Sequence, residues 1–129
     1  MKLLYLTFFT LLSMGPVTVD PITQFAELLG KGNSHEMARF FAPTIELTLL
    51  DDANTYSKAQ AEIILDKFFT LNKPNSCKML HKINSNVNFS FGVVIISTDK
   101  GPYRAAFTLK DNDGALQLIE LRIETEKVK

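Results

Sequence analysis

The last third of the chain constrains the fold most. Residues 89–98, 103–110 and 116–124 alternate apolar and polar side chains with a period of two, the mark of three successive antiparallel strands with one buried face. A three-residue turn at Asn112, Asp113 and Gly114 would set Phe107 against Ile119, Ala105 against Leu121 and Tyr103 against Ile123. A two-residue turn would set Ala105 against Glu120 and Tyr103 against Arg122, splitting the apolar set between faces, so the longer turn is predicted. The same parity puts Phe91, Val93 and Ile95 on the inner face, with Cys77, Met79, His81 and Ile83 beyond them. It leaves Val94, Ile96, Arg104, Ala106, Leu118, Glu120 and Arg122 on the outer face, with Arg104 opposite Arg122 and Glu120 and Glu124 diagonal to Arg104.

Helices precede these strands. Asp20 followed by Pro21 is an N-cap with a first-turn proline, and Ile22, Phe25, Ala26 and Leu29 recur at helical spacing until Gly30, which predicts a helix over 21–29. Asn33 with Glu36 caps a short second helix over about 34–41, with Met37, Phe40 and Phe41 as its apolar stripe and Pro43 as its stop. Residues 45–50 alternate as a strand; Asp51, Asp52, Ala53 and Asn54 are turn chemistry before a brief strand near Tyr56. Ser57 with Gln60 forms a capping box, and Ala61, Ile64, Leu65 and Phe68 mark one stripe of a third helix over 58–71. Three amphipathic helices can cover one face of a small sheet, giving an α+β domain.

Composition narrows the partners. Lysine plus arginine equals aspartate plus glutamate, 14 each, so no global field attracts nucleic acid or an anionic membrane. Lys2 and the uncharged run over 3–14 have the layout of a secretory signal, too short for the roughly 20 residues of a membrane-spanning helix. Residues 1–19 are therefore expected to be a signal peptide of uncertain cleavage site, and 20–129 a single exported domain, periplasmic or secreted, with no stable membrane insertion once the signal is removed. Cys77 is the only cysteine, so an internal disulfide is impossible, and its apolar neighbours point to a buried thiol.

Chemistry-bearing motifs are sparse. There is no Gly-rich phosphate loop, no metal-spaced His or Cys cluster and no nucleophile elbow, so neither metal nor cofactor is expected. An enzyme would need titratable groups inside the core, where burial tunes them. The expected inner face offers His81, with Tyr103 at a strand start, and no Asp or Glu. His35 beside Glu36 reads as a solvated surface residue.

The order of two helices, a short strand pair, a long helix and a meander of long strands resembles the cone-shaped nuclear-transport-factor-2-like, or cystatin-like, fold. More narrowly, the chain resembles an exported bacterial domain-of-unknown-function family of that fold. The likeness is carried over 22–124 by the run from Tyr56 to Glu62, by Phe68 and Phe69 ahead of Asn72 and Pro74, by His81, by Tyr103 with Arg104, and by the ending Leu121, Arg122, Ile123, Glu124. It implies a curved, mainly antiparallel sheet carrying three helices, and no established activity. The function expected is a non-catalytic binding or homodimerising module, whose partner is a second copy or another protein. Its interface candidates are Val94, Ile96, Arg104, Ala106, Leu118, Glu120 and Arg122. The alternative is an isomerase- or dehydratase-like enzyme with a pocket at His81 and Tyr103.

Overall fold

A computed structural model describes residues 20–85 and 88–126, so the expected signal segment lies outside the described residues. Three helices, α1 (Pro21–Lys31), α2 (Ser34–Ala38) and α3 (Lys58–Leu71), accompany six strands, β1 (Phe41–Leu49), β2 (Asp52–Ser57), β3 (Pro74–Asn84), β4 (Phe89–Thr98), β5 (Gly101–Asn112) and β6 (Ala115–Thr125). The strands form one sheet in the order β2-β1-β6-β5-β4-β3. Every neighbouring pair is antiparallel except β1 with β6, which is parallel. The result is the expected α+β architecture.

The caps behave as their chemistry requires. The Asp20 carboxylate accepts the Ile22 N–H at 3.2 Å and the Asn33 side chain accepts the Glu36 N–H at 3.1 Å. Ser57 and Gln60 close a reciprocal capping box on α3. Gly30 does not end α1; the helix runs to Lys31 and Gly32 caps it in the left-handed conformation, φ 64°. Gly30 instead lets the helix lie close on β3, because a Cβ there would stand 2.7 Å from the Cys77 Cβ. Helix α2 stops at Ala38 because Phe41 already pairs with Leu118 on β6. Pro43 therefore lies within β1 and not after a helix, in the stretch between Phe41 and Glu46 where the β1–β6 register shifts, so its missing N–H breaks no ladder bond.

The core fills the space between the helices and one sheet face. Ile22, Phe25, Leu29, Met37, Leu65 and Phe68 from the helices meet Ile45, Leu47, Val94, Ile96, Phe107, Leu118, Leu121 and Ile123 from the sheet. The Phe25 ring lies 4.9 Å from Phe107 and 6.0 Å from Phe40, while Phe68 meets Phe69 at 5.3 Å and Tyr103 edge-on at 5.2 Å.

Three register details differ from expectation, and they decide what the sheet presents outward. The β5–β6 turn has two residues, Asp113 (φ 53°) and Gly114 (φ 88°), with Asn112 pairing Ala115. The expected splitting of the apolar set does not follow, because the register shifts between Leu109↔Leu118 and Thr108↔Glu120, leaving Ile119 as a bulge. The bulge restores parity, so Phe107 pairs with Leu121 and Ala105 with Ile123. The β4–β5 turn is also two residues long, Asp99 and Lys100, which makes even positions of β4 share a face with odd positions of β5: Val94 pairs with Ala105 and Ile96 with Tyr103. Phe91, Val93 and Ile95 thus face outward, not inward. A second bulge in β3, between Met79↔Val94 and His81↔Val93, keeps Cys77 and Met79 on the core side but turns His81 and Ile83 outward.

Candidate interaction surface on the open sheet face

Helix α1 packs on β3 and β4 and α3 on β1 and β2, both against the core face. The opposite face carries no helix among the described residues. Its side chains follow from the register. One row runs Ile83, Phe91, Thr108, Glu120, Glu46, Thr55; the next runs His81, Val93, Ala106, Arg122, Thr48, Ala53; a third runs Lys78, Ile95, Arg104, Glu124. Apolar groups cluster on β3, β4 and β5. Val93 is only 7% exposed yet stands outside the core cluster, Phe91, Ile95 and Ala106 are half-buried, and Ile83 is 55% exposed.

Charged groups surround this stripe. Arg104 donates from Nε at 2.9 Å and Nη2 at 3.3 Å to the two Glu126 carboxylate oxygens. Those hydrogen bonds raise the Arg104 guanidinium above its ordinary value and hold the Glu126 carboxyl below the usual carboxylate range. Arg122 pairs with Glu124 at 3.7 Å. Arg104 lies directly across from Glu124, and Arg122 across from Ala106, so the expected opposition of the two arginines does not occur. Towards β1 an open groove of about 470 Å³ is lined by Thr44, Glu46, Thr55, Thr108, Ile119 and Glu120 among others.

The expected interface set therefore divides. Arg104, Ala106, Glu120 and Arg122 lie on the open face, whereas Val94, Ile96 and Leu118 are fully buried in the core. Parity propagated through turns of the wrong length is the physical reason for the error. The residues that take their place, Phe91, Val93 and Ile95, carried a legible signal in the sequence: the apolar run Val93, Val94, Ile95, Ile96 supplies both faces of a strand, not one.

The pair proposed for a catalytic pocket is not brought together. Tyr103 is in the core, and its hydroxyl donates to Asn72 Oδ1 at 2.8 Å, fastening the end of α3 to β5. His81 is exposed on the opposite face, across from Val93. Phe68 packs on Tyr103 and Phe69. His35 is exposed and meets Glu62 at 3.3 Å. Cys77 is half-buried, and burial pushes its thiol up to about 11, away from thiolate chemistry. Among the described residues no group of three or more His, Cys, Asp or Glu could hold a metal ion, and no helix is long and apolar enough to cross a membrane.

Helices on one face of a six-stranded, mostly antiparallel sheet, with none on the other face among the described residues, define a cystatin-like, nuclear-transport-factor-2-like domain. Residues 22–124 match the family described as Domain of unknown function (DUF4783). The chain belongs to that family. A DUF4783 protein of Bacteroides ovatus is 22% identical with a TM-score of 0.74, covering 83% of this chain and 93% of its own. One from Bacteroides uniformis is 18% identical with a TM-score of 0.79, covering 84% and 100%. A Nostoc punctiforme domain of unknown function with a cystatin-like fold is 11% identical with a TM-score of 0.64, covering 82% and 73%. No curated protein matches the chain.

Proposed function

We propose that the domain is a non-catalytic self-association module whose open sheet face docks onto a second copy. The observation that carries this is the outward stripe Phe91, Val93 and Ile95 on β4, extended by Ile83 and Ala106 and ringed by charges of both signs. A soluble chain seldom leaves a contiguous apolar patch with a charged rim uncovered. Strands β3 to β6, about 4.8 Å apart and about ten residues long, offer roughly 650 Å² of face, close to the ~800 Å² per partner of a stable interface. The second copy is favoured over a strongly charged partner because the chain carries 14 positive and 14 negative side chains. Arg104, Arg122, Glu120 and Glu124 on the one face give a two-fold-related copy opposite charges to meet.

The reading includes export, supported by Lys2 and the uncharged run over 3–14. Intact chains with residues 1–19 in the cytoplasm of the native cell would refute that part. For the association, sedimentation of the wild-type protein is expected to give a dimer, and Ile95→Glu a folded monomer, since a carboxylate at the centre of the interface is buried unpaired. A wild-type monomer at every accessible concentration refutes the proposal.

A further inference from the structure

The open face carries one histidine among the described residues, His81, and histidine is the side-chain type whose charge ordinarily responds to pH in the physiological range. His81 reaches that face only because of the β3 bulge, which breaks the strand alternation between Met79 and His81. Had the strand kept regular alternation through residue 80, the imidazole would share the core face with Met79. The bulge sets it across from Val93, one strand from the centre of the apolar stripe.

Its surroundings are apolar and cationic. On β3 the same face carries Lys78 and Ile83; Lys82 lies on the other face, paired with the Asp20 carboxylate that caps α1. On β4 the neighbours are Phe91, Val93 and Ile95, none of them charged. Beyond them β5 presents Arg104 and β6 presents Arg122, while Glu120 and Glu124 are on β6, three strands from His81. Helix α1 packs on β3 from the core side, where it meets Lys82 and not His81. Among the described residues of the same chain, the carboxylates of this face lie on β1 and β6, away from the strand that carries His81 and from its neighbour β4.

Resting on the self-association proposed above, we infer that His81 makes that association pH-sensitive, the dimer forming with neutral imidazoles and weakening as they protonate. In the single chain His81 is exposed and water solvates either form. Covering the stripe with a second copy, whose Glu120 and Glu124 are taken up by Arg104 and Arg122 in the pairing proposed above, removes that water and leaves the imidazolium against valine and isoleucine, which disfavours the charged form. The dimer then binds fewer protons than two separate chains, so its dissociation constant rises as pH falls through the ordinary histidine range near about 6.5. Each unit by which assembly lowers the His81 pKa is up to about tenfold in affinity per histidine, and a two-fold dimer buries a pair of them.

The test is sedimentation equilibrium of the protein at pH 7.5 and pH 5.5, beside His81→Gln. The expected result is a dissociation constant at least about tenfold higher at pH 5.5 for the wild type and the same at both values for His81→Gln. Equal wild-type constants, or a pH dependence that persists in His81→Gln, overturn the inference and leave the self-association standing. A wild type that is monomeric at both values overturns both. If the substitution itself disturbs assembly, nuclear magnetic resonance titration of the His81 ring protons decides: its pKa is expected to be lower in concentrated than in dilute samples, and an unchanged pKa overturns the inference.

Discussion

Gly92 is the position where the packing of the core can be tested most sharply. It lies on β4 across from Phe107, and a Cβ built on it would stand 2.5 Å from Phe107 Cζ and 2.8 Å from Ile22 Cγ2. Both side chains are fully buried, Phe107 against the Phe25 ring at 4.9 Å, so neither can swing aside into solvent. Forcing a methyl into such a site costs about 1–3 kcal/mol. Gly92 is not in the left-handed region, so alanine also gains about 0.4–1 kcal/mol by narrowing the unfolded ensemble. The net expectation for Gly92→Ala is a loss of about 1–2 kcal/mol, read from urea denaturation midpoints at constant slope. Phe107→Leu shortens the ring that makes the clash, so the double variant should lose less than the sum of the two single losses, by about 1 kcal/mol. A neutral or stabilising Gly92→Ala, or strict additivity with Phe107→Leu, would show that the Phe107 ring does not lie over this backbone.

Phe68→Ala should cost about 3–5 kcal/mol by chemical denaturation, since the ring is 8% exposed and packed edge-on against Tyr103 and Phe69; a loss below about 1 kcal/mol would contradict that packing. Burial pushes the Asp20 carboxyl up, but hydrogen bonds from Lys82 and the Ile22 N–H outweigh it and hold the group below its ordinary value of 3.8. A carboxyl depressed on folding contributes stability above its unfolded value and loses it as pH falls through the folded one. Wild-type stability should therefore drop below about pH 4 more steeply than that of Asp20→Asn, and parallel acid limbs would remove Asp20 from the linkage.

Much of the fold was legible because it is written locally. Caps at Asp20, Asn33 and Ser57 depend on side chains that reach two or three residues along the chain, and each closes as its sequence spacing requires. The extent of β4 follows from periodicity, and that of α3 from its capping box together with periodicity. What the sequence concealed is additive along the sheet. A bulge at Ile119 has no composition signal, and it compensates a turn one residue shorter than expected, so two errors cancelled on β6 after the bulge, from Glu120 onward, while Leu118 before it took the opposite face. They did not cancel on β4, where an unrecognised two-residue turn at Asp99 and Lys100 exchanged the faces of Phe91, Val93 and Ile95 with those of Val94 and Ile96. The β3 bulge then moved His81 out of the supposed cavity. Face assignments made by counting from one turn inherit every slip before them, whereas the burial of both faces of β4 needs no counting.

The direct test of the open face as a self-association surface is an isotope-filtered nuclear Overhauser experiment on a mixture of labelled and unlabelled protein. Intermolecular contacts are expected at the methyls of Val93, Ile95 and Ala106, with none at Val94 and Ile96, which stand one residue away on the core side. Intermolecular contacts confined to the helices, or a mixture with no such contacts at any accessible concentration, would contradict it.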